Sequence, residues 1–405
     1  MTAIIDAIME FWDWLLRVLG LRRRAPLGVP PETRPEGRAR GLARRAPALI
    51  LLGLVLWLGA LIWNFGWLRA GDLSYPQAVL AATGAPAGVA PGAGTGDAAD
   101  AAEPADADAS GAARVCAPSR AVAMQAALID MMVNQDVWAP ASPLYKAGVF
   151  WLIDWEDTPW FDNKAAFQLG VLDVLRAFAI ELRDSLGRVR GTSAPHQDLI
   201  GAQSRLQISE RAWVLNSPLD RDNALVATTT AAGSYRGAIR SYLRYNQALA
   251  DCAAVYDARA DNLRVVIDRM SKLLGGITDQ LSKRSRGTVY DPRLDRFVPG
   301  PGNNRGWFDF RADNLFHRAR GQMFALHGLM QALREDFAQV VERRDLVELW
   351  DRLEAHVAEA AALEPLIVSN GRSDGLMMPN HLAAMAEAIY RARANMVELR
   401  DVIDR

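Results

Sequence analysis

The densest collection of side chains able to do chemistry lies between Trp138 and Trp160. Four tryptophans (138, 151, 155 and 160) are interleaved there with Asp154, Glu156 and Asp157. Flat aromatic faces bury sugar C–H surface, and carboxylates accept sugar hydroxyls or serve as general acid and base. Trp151, Asp154, Trp155, Glu156, Asp157 and Trp160 are therefore the candidate glycan contacts, with peptidoglycan the obvious polymer outside a bacterial membrane. The competing reading has more weight. Tryptophans in helical proteins mostly fill core or lie against a membrane, and nearby acids keep such a segment soluble.

Cys116 and Cys252 are the only cysteines. In an oxidising compartment an even count favours a bridge, the alternative being two separate buried thiols. Such a bridge closes a loop of well over a hundred residues, for which the chain-entropy model gives about 5 kcal/mol less any strain. The five histidines (196, 317, 327, 356, 381) include no pair at i, i+4, and no CxxC accompanies them. No zinc site, GxSxG elbow, P-loop or dinucleotide fingerprint is present. The expectation is of no catalytic residues, no metal and no cofactor. A charge balance of 46 Lys+Arg against 47 Asp+Glu also argues against a nucleic-acid partner.

These residues need elements to position them, and the chain divides into unlike parts. Residues 47–68 (PALILLGLVLWLGALIWNFGWL) carry no charge, and at 1.5 Å per residue they cross a hydrocarbon core of roughly 30 Å. Trp63 and Trp67 sit at one end, as interfacial aromatics do. Eight arginines against two glutamates precede the run between Arg22 and Arg45, whereas residues 70–113 hold six acids and no Lys or Arg. The positive-inside rule then places the N-terminus in the cytoplasm and the rest of the chain in the periplasm of a bacterial inner membrane. Residues 1–21 form an amphipathic helix, with Ile4, Ile8, Phe11, Leu15 and Leu19 on one face. It either lies on the membrane or docks on a partner helix. Arg22, Arg23 and Arg24, which open the basic linker 22–46, would attract anionic headgroups. Residues 69–114, rich in Ala, Gly, Pro and Asp, are expected to be a disordered spacer.

The remainder, 115–405, reads as all-α. Apolar residues alternate at spacings of three and four in four stretches: Leu172–Val189, Tyr235–Leu281, Phe316–Phe337 and Leu382–Ile403. Each set defines one narrow stripe, the pattern of helices packed side by side in a bundle or against a second copy in a homo-oligomer. Shorter helices are expected at 119–135, 199–208 and 345–363, with a kink at Gly275-Gly276 and no sheet. The pentapeptide Arg-Ala-Asp-Asn-Leu occurs at Arg259–Leu263 and Arg311–Leu315, each time leading into a stripe. Asp313 would there meet the positive end of its helix.

The runs FQLGVLDVLRAFAIELRD (Phe167–Asp184), SYRGAIRSYLRYNQAL (Ser234–Leu249), ARADNL (Ala258–Leu263) and FDFRADNLFHRARGQMFAL (Phe308–Leu326) resemble the proteobacterial domain of unknown function 2333 family. The resemblance implies a single-span envelope protein and assigns no activity and no site residues. The leading expectation is a non-enzymatic scaffold or adaptor with other envelope proteins as partners. The alternatives are a glycan-binding or glycan-cleaving domain and a ligand sensor.

Overall fold

The computed structural model describes residues 51–63, 65–66, 71–84, 91, 116–148, 152–158, 161–188, 193–213, 229–299, 309–372 and 378–405. The arm 1–21 and the basic linker 22–46 lie outside these residues, as do positions 47–50, 64, 67 and 68 of the apolar run. The chain forms two units, Met1–Gly66 and Trp67–Arg405. In the first, residues 51–63 are a helix, α1, whose Leu52, Leu54, Val55, Leu56, Leu58, Ile62 and Trp63 are all exposed. Among the described residues no helix is long and apolar enough to cross a membrane.

The second unit is mostly helical. Its elements are α2 (Tyr75–Ala82), α3 (Arg120–Asp130), α4 (Pro143–Ala147), α5 (Asn163–Glu181), α6 (Gln197–Leu206), α7 (Ala231–Ala250), α8 (Ala260–Arg286), β1 (Thr288–Asp291), β2 (Arg296–Pro299), α9 (Phe310–Asp336), α10 (Ala338–Arg343), α11 (Val347–Ala362) and α12 (His381–Ile403). Single π-helical turns prolong α3 over Met131–Gln135 and α5 over Leu182–Leu186.

Helix α9 is the axis of the fold. Its buried residues occupy every face, from Ala312 and Phe316 to Leu333, because α2, α3, α5, α8, α11 and α12 all pack on it. Its tightest neighbour is α5, and two glycines explain the approach. A Cβ on Gly170 would fall 1.9 Å from the Arg318 carbonyl oxygen, and one on Gly321 would fall 2.1 Å from that of Phe167. The two backbones thus meet at both crossing points, where any side chain would separate them. Helices α8 and α12 pack on each other, as do α6 and α7, and α7 packs in turn on α3.

Three expectations are corrected. The spacer 69–114 contains α2, so the folded unit begins well before residue 115. Pro76 opens that helix, Tyr75 is buried with its O–H donating to the Ala127 carbonyl (2.9 Å), and Leu73, Val79 and Leu80 pack on the core. Further along, Pro91 forms a bridge with Ala117. Five apolar side chains suffice to dock one short helix, although the surrounding composition is too poor to signal it.

The long stripe from Tyr235 to Leu281 is two helices. It breaks between Ala250 and Ala260, where Cys252 takes a left-handed conformation (φ 57°) and the Asp257 N–H donates to the Leu186 carbonyl (2.7 Å). Helix α8 then runs through Gly275-Gly276 and ends on Gly287 at φ 64°, with Lys283, Arg284 and Arg286 in its last turn. Finally, strands β1 and β2 form an antiparallel hairpin with Tyr290 opposite Phe297. The residues TVYD and RFVP have β-branched and aromatic character, and Asp295 (φ 49°) supplies the turn. Four-residue strands are too short to show a period of two.

Candidate functional site

Of the Trp/acid segment, the structure describes Trp138, Asp154, Trp155 and Asp157. Trp138 and Trp155 are buried, their indole N–H groups donating to the Glu210 and Leu144 carbonyls (both 2.8 Å). Trp138 meets Tyr235 edge to face at 5.2 Å, and Trp155 lies 5.2 Å from the Phe161 ring. Asp154 is exposed, and exposed Asp157 pairs with Arg311 (2.8 Å). Trp151, Trp160 and the Glu156 side chain lie outside the described residues.

Cys116 and Cys252 form a disulfide with their Cα atoms 5.5 Å apart, joining the chain ahead of α3 to the turn after α7. Next to it, the buried Asp336 carboxylate closes the N-terminus of α3. One oxygen accepts the Ser119 O–H (2.6 Å) and the Ala121 N–H (3.0 Å), the other the Arg120 N–H (2.8 Å). Burial pushes this acid up to about 6, and those hydrogen bonds hold it back from rising further. Asn246, on the α7 stripe, accepts the Ser119 N–H (2.7 Å). It is thus a partnered polar residue in the core.

The most unusual chemistry lies on the first half of α9. Asp309, Asp313, His317 and Arg320 recur at spacings of four, four and three, and all are buried. Burial, reinforced by the charges of Asp162 and Asp309, lifts Asp313 to about 8. Its Oδ2 has no hydrogen-bond partner among the described residues. Burial and the Arg320 charge push His317 down to about 3. At neutral pH the pair is therefore a neutral carboxylic acid and a neutral imidazole, one turn apart. Asp313 does lie in the first turn of α9, as expected, but the macrodipole's contribution of about 0.3–1 kcal/mol is outweighed by the lost solvation. Asp309 is neutralised by Arg284, whose Nε lies 3.0 Å from Oδ2, and it also accepts from the Asn370 amide (2.8 Å). The Arg320 guanidinium donates to Glu364 (2.9 Å) and to the Ala361 carbonyl (3.1 Å).

His196 and His381 serve the backbone, and His327 lies in the interior. His196 accepts the Asp198 N–H as an N-cap (3.2 Å), and His381 accepts the Ser369 N–H (2.9 Å). Among the described residues no group of three or more His, Cys, Asp or Glu could hold a metal ion. A buried Lys164–Asp136 ion pair joins the start of α5 to the end of the α3 extension. An open groove of about 900 Å³ runs between α2 and the α9–α11 segment, lined by Gln77, Leu80, Arg120, Arg334, Glu335 and Glu354 among others. Its charges are largely compensated internally, Arg334 pairing with Asp351 (2.6 Å) and Arg120 with Glu335.

Residues 130–405 match the family model described as "Uncharacterized protein conserved in bacteria (DUF2333)". No curated protein and no solved structure matches the chain.

Proposed function

The chain belongs to this uncharacterized bacterial family, DUF2333, and from that footing we propose that it is a membrane-tethered helical protein of the cell envelope, acting as a non-enzymatic scaffold or adaptor. Residues 47–68 are the tether, and the charge asymmetry of their flanks directs the helical unit to the periplasm. One observation carries the tether: in the described part of this run, a helix, Leu52, Leu54, Val55, Leu56, Leu58, Ile62 and Trp63 are exposed, and only Leu61 and Phe65 among its large apolar side chains are buried. A contiguous apolar surface of that kind is stable only against lipid or protein. The disulfide is in keeping with an oxidising compartment. The adaptor role is supported by the character of the helical unit. Its buried Lys164–Asp136 pair, its Arg284–Asp309 pair and the Asp336 cap are structural, and its concave groove is open and charge-compensated.

Cross-linking in living bacteria, followed by purification in mild detergent and identification of partners, tests the reading. Reproducible recovery of particular envelope proteins is expected. Repeated isolation as a lone species would count against it.

A further inference from the structure

We propose that the end of the helical unit where α8 gives way to α9 rests on the bilayer, with the β1–β2 hairpin entering the headgroup layer. The proposal rests on the tether reading above.

Three loops at this end expose large apolar side chains. Leu152 is 85% exposed in the first, Leu294 and Phe297 are 53% and 63% exposed in the hairpin, and Leu366 is 93% exposed in the third. Named contacts gather them. The Asp157–Arg311 pair (2.8 Å) fixes the first loop to the opening turn of α9. The hairpin leaves α8 at Gly287, beside the Arg284–Asp309 pair. Asn370 donates to the Arg284 carbonyl (3.1 Å) and to Asp309 (2.8 Å), bringing the third loop to the same place.

The hairpin has the composition of an interfacial element. Tyr290 and Phe297 pair across the strands with ring centroids 5.5 Å apart, and both side chains are exposed beside Leu294 in the turn. Arg286, Arg293 and Arg296 are exposed and make no ion pair among the described residues, while Asp295 accepts the Tyr290 O–H. Amphipathic rings, an apolar tip and arginines able to reach phosphate are what a headgroup layer accommodates. A two-stranded hairpin alone is marginal in water, and among the described residues no layer covers its exposed aromatic pair.

Chain length selects lipid as the occupant. The apolar run ends at Leu68, and Gly71 already lies against Arg320, a Cβ there falling 3.1 Å from the guanidinium. The same guanidinium holds Glu364 (2.9 Å), two residues before Leu366. Three residues span at most about 11 Å, so in the tether reading Gly71, and with it the Arg320–Glu364 neighbourhood, stays within about that distance of the end of the apolar run.

The test uses the full chain in liposomes of phosphatidylethanolamine and phosphatidylglycerol. An environment-sensitive dye is attached at Leu294→Cys or, as control, at Asp401→Cys, with the native disulfide intact. Asp401 neighbours Arg400, which pairs with Asp268. Along α8, Asp268 lies about 27 Å from the hairpin end. Spin-labelled lipid should quench the Leu294 dye roughly twofold and leave the Asp401 dye nearly unchanged, given the 5–10 Å depth of interfacial insertion. Alkaline carbonate extraction of the same liposomes reports separately on the tether. Chain that resists extraction but shows equal, weak quenching at both positions overturns the hairpin proposal alone, including the case where a protein covers the hairpin instead. Chain that carbonate releases overturns the tether reading, and the proposal with it.

Discussion

Replacing Asp313 by asparagine should move stability in the variant's favour as pH rises from 4 to 7, from a net cost at pH 4 to a net gain at pH 7. The carboxyl is lifted from 3.8 to about 8, mainly by burial, so the folded chain keeps a proton that the unfolded chain gives up near pH 4. For an acid raised in this way, stability is fully present below the unfolded value and is lost as pH rises toward the folded one. At about 1.4 kcal/mol per pH unit, the loss between pH 4 and pH 7 comes to about 4 kcal/mol. Asparagine keeps the shape and cannot ionise, so the variant escapes that loss. Its second amide donor in a buried site carries a fixed cost of about 1–3 kcal/mol, which is the same at both pH values. His317, lowered to about 3, titrates in the opposite sense in both proteins and cancels in the comparison. The assay is urea unfolding of wild-type and Asp313→Asn chains in detergent at pH 4 and pH 7. The stability difference should move in favour of the variant by about 4 kcal/mol between the two conditions. An unchanged difference would refute the claim that Asp313 is a buried neutral acid.

Lys164→Met should destabilise by about 3–5 kcal/mol, because it strands the buried Asp136, and adding Asp136→Leu should restore most of the loss in a double-mutant cycle. Gly321→Ala forces a methyl group into the Phe167 carbonyl and should cost roughly 3 kcal/mol, read as a drop in thermal midpoint. Removing the disulfide by Cys116→Ser with Cys252→Ser, which opens a loop whose ends are 136 residues apart, should lower unfolding free energy by up to about 5 kcal/mol. Equal stability of oxidised and reduced wild-type protein would show that the bridge constrains nothing.

Helix period was the most legible property of the sequence. The stripes ending at Phe337 and Ile403 correspond to α9 and α12, because a side chain every three or four residues has only one helical interpretation. What periodicity could not locate was the break inside the second stripe, since the α7–α8 turn keeps apolar residues nearly in phase while Cys252 reverses the backbone. Helix α2 was hidden by its surroundings, eight residues beside an Ala/Gly tract. The row Asp309, Asp313, His317, Arg320 was visible as a spacing but reads like the solvated face of an amphipathic helix. Only packing on every side of α9 turns it inward, and that is a tertiary fact. The indoles of Trp138 and Trp155 show the converse. Core filling was already the weightier expectation for them, and their N–H groups donate to carbonyls of neighbouring loops in the interior.

Proteolysis of bacterial spheroplasts tests the central claim most directly. If residues 47–68 hold the helical unit outside the cytoplasmic membrane, protease added to intact spheroplasts should degrade residues 71–405 while a cytoplasmic marker survives. A full-length band that persists until the spheroplasts are lysed would contradict the account.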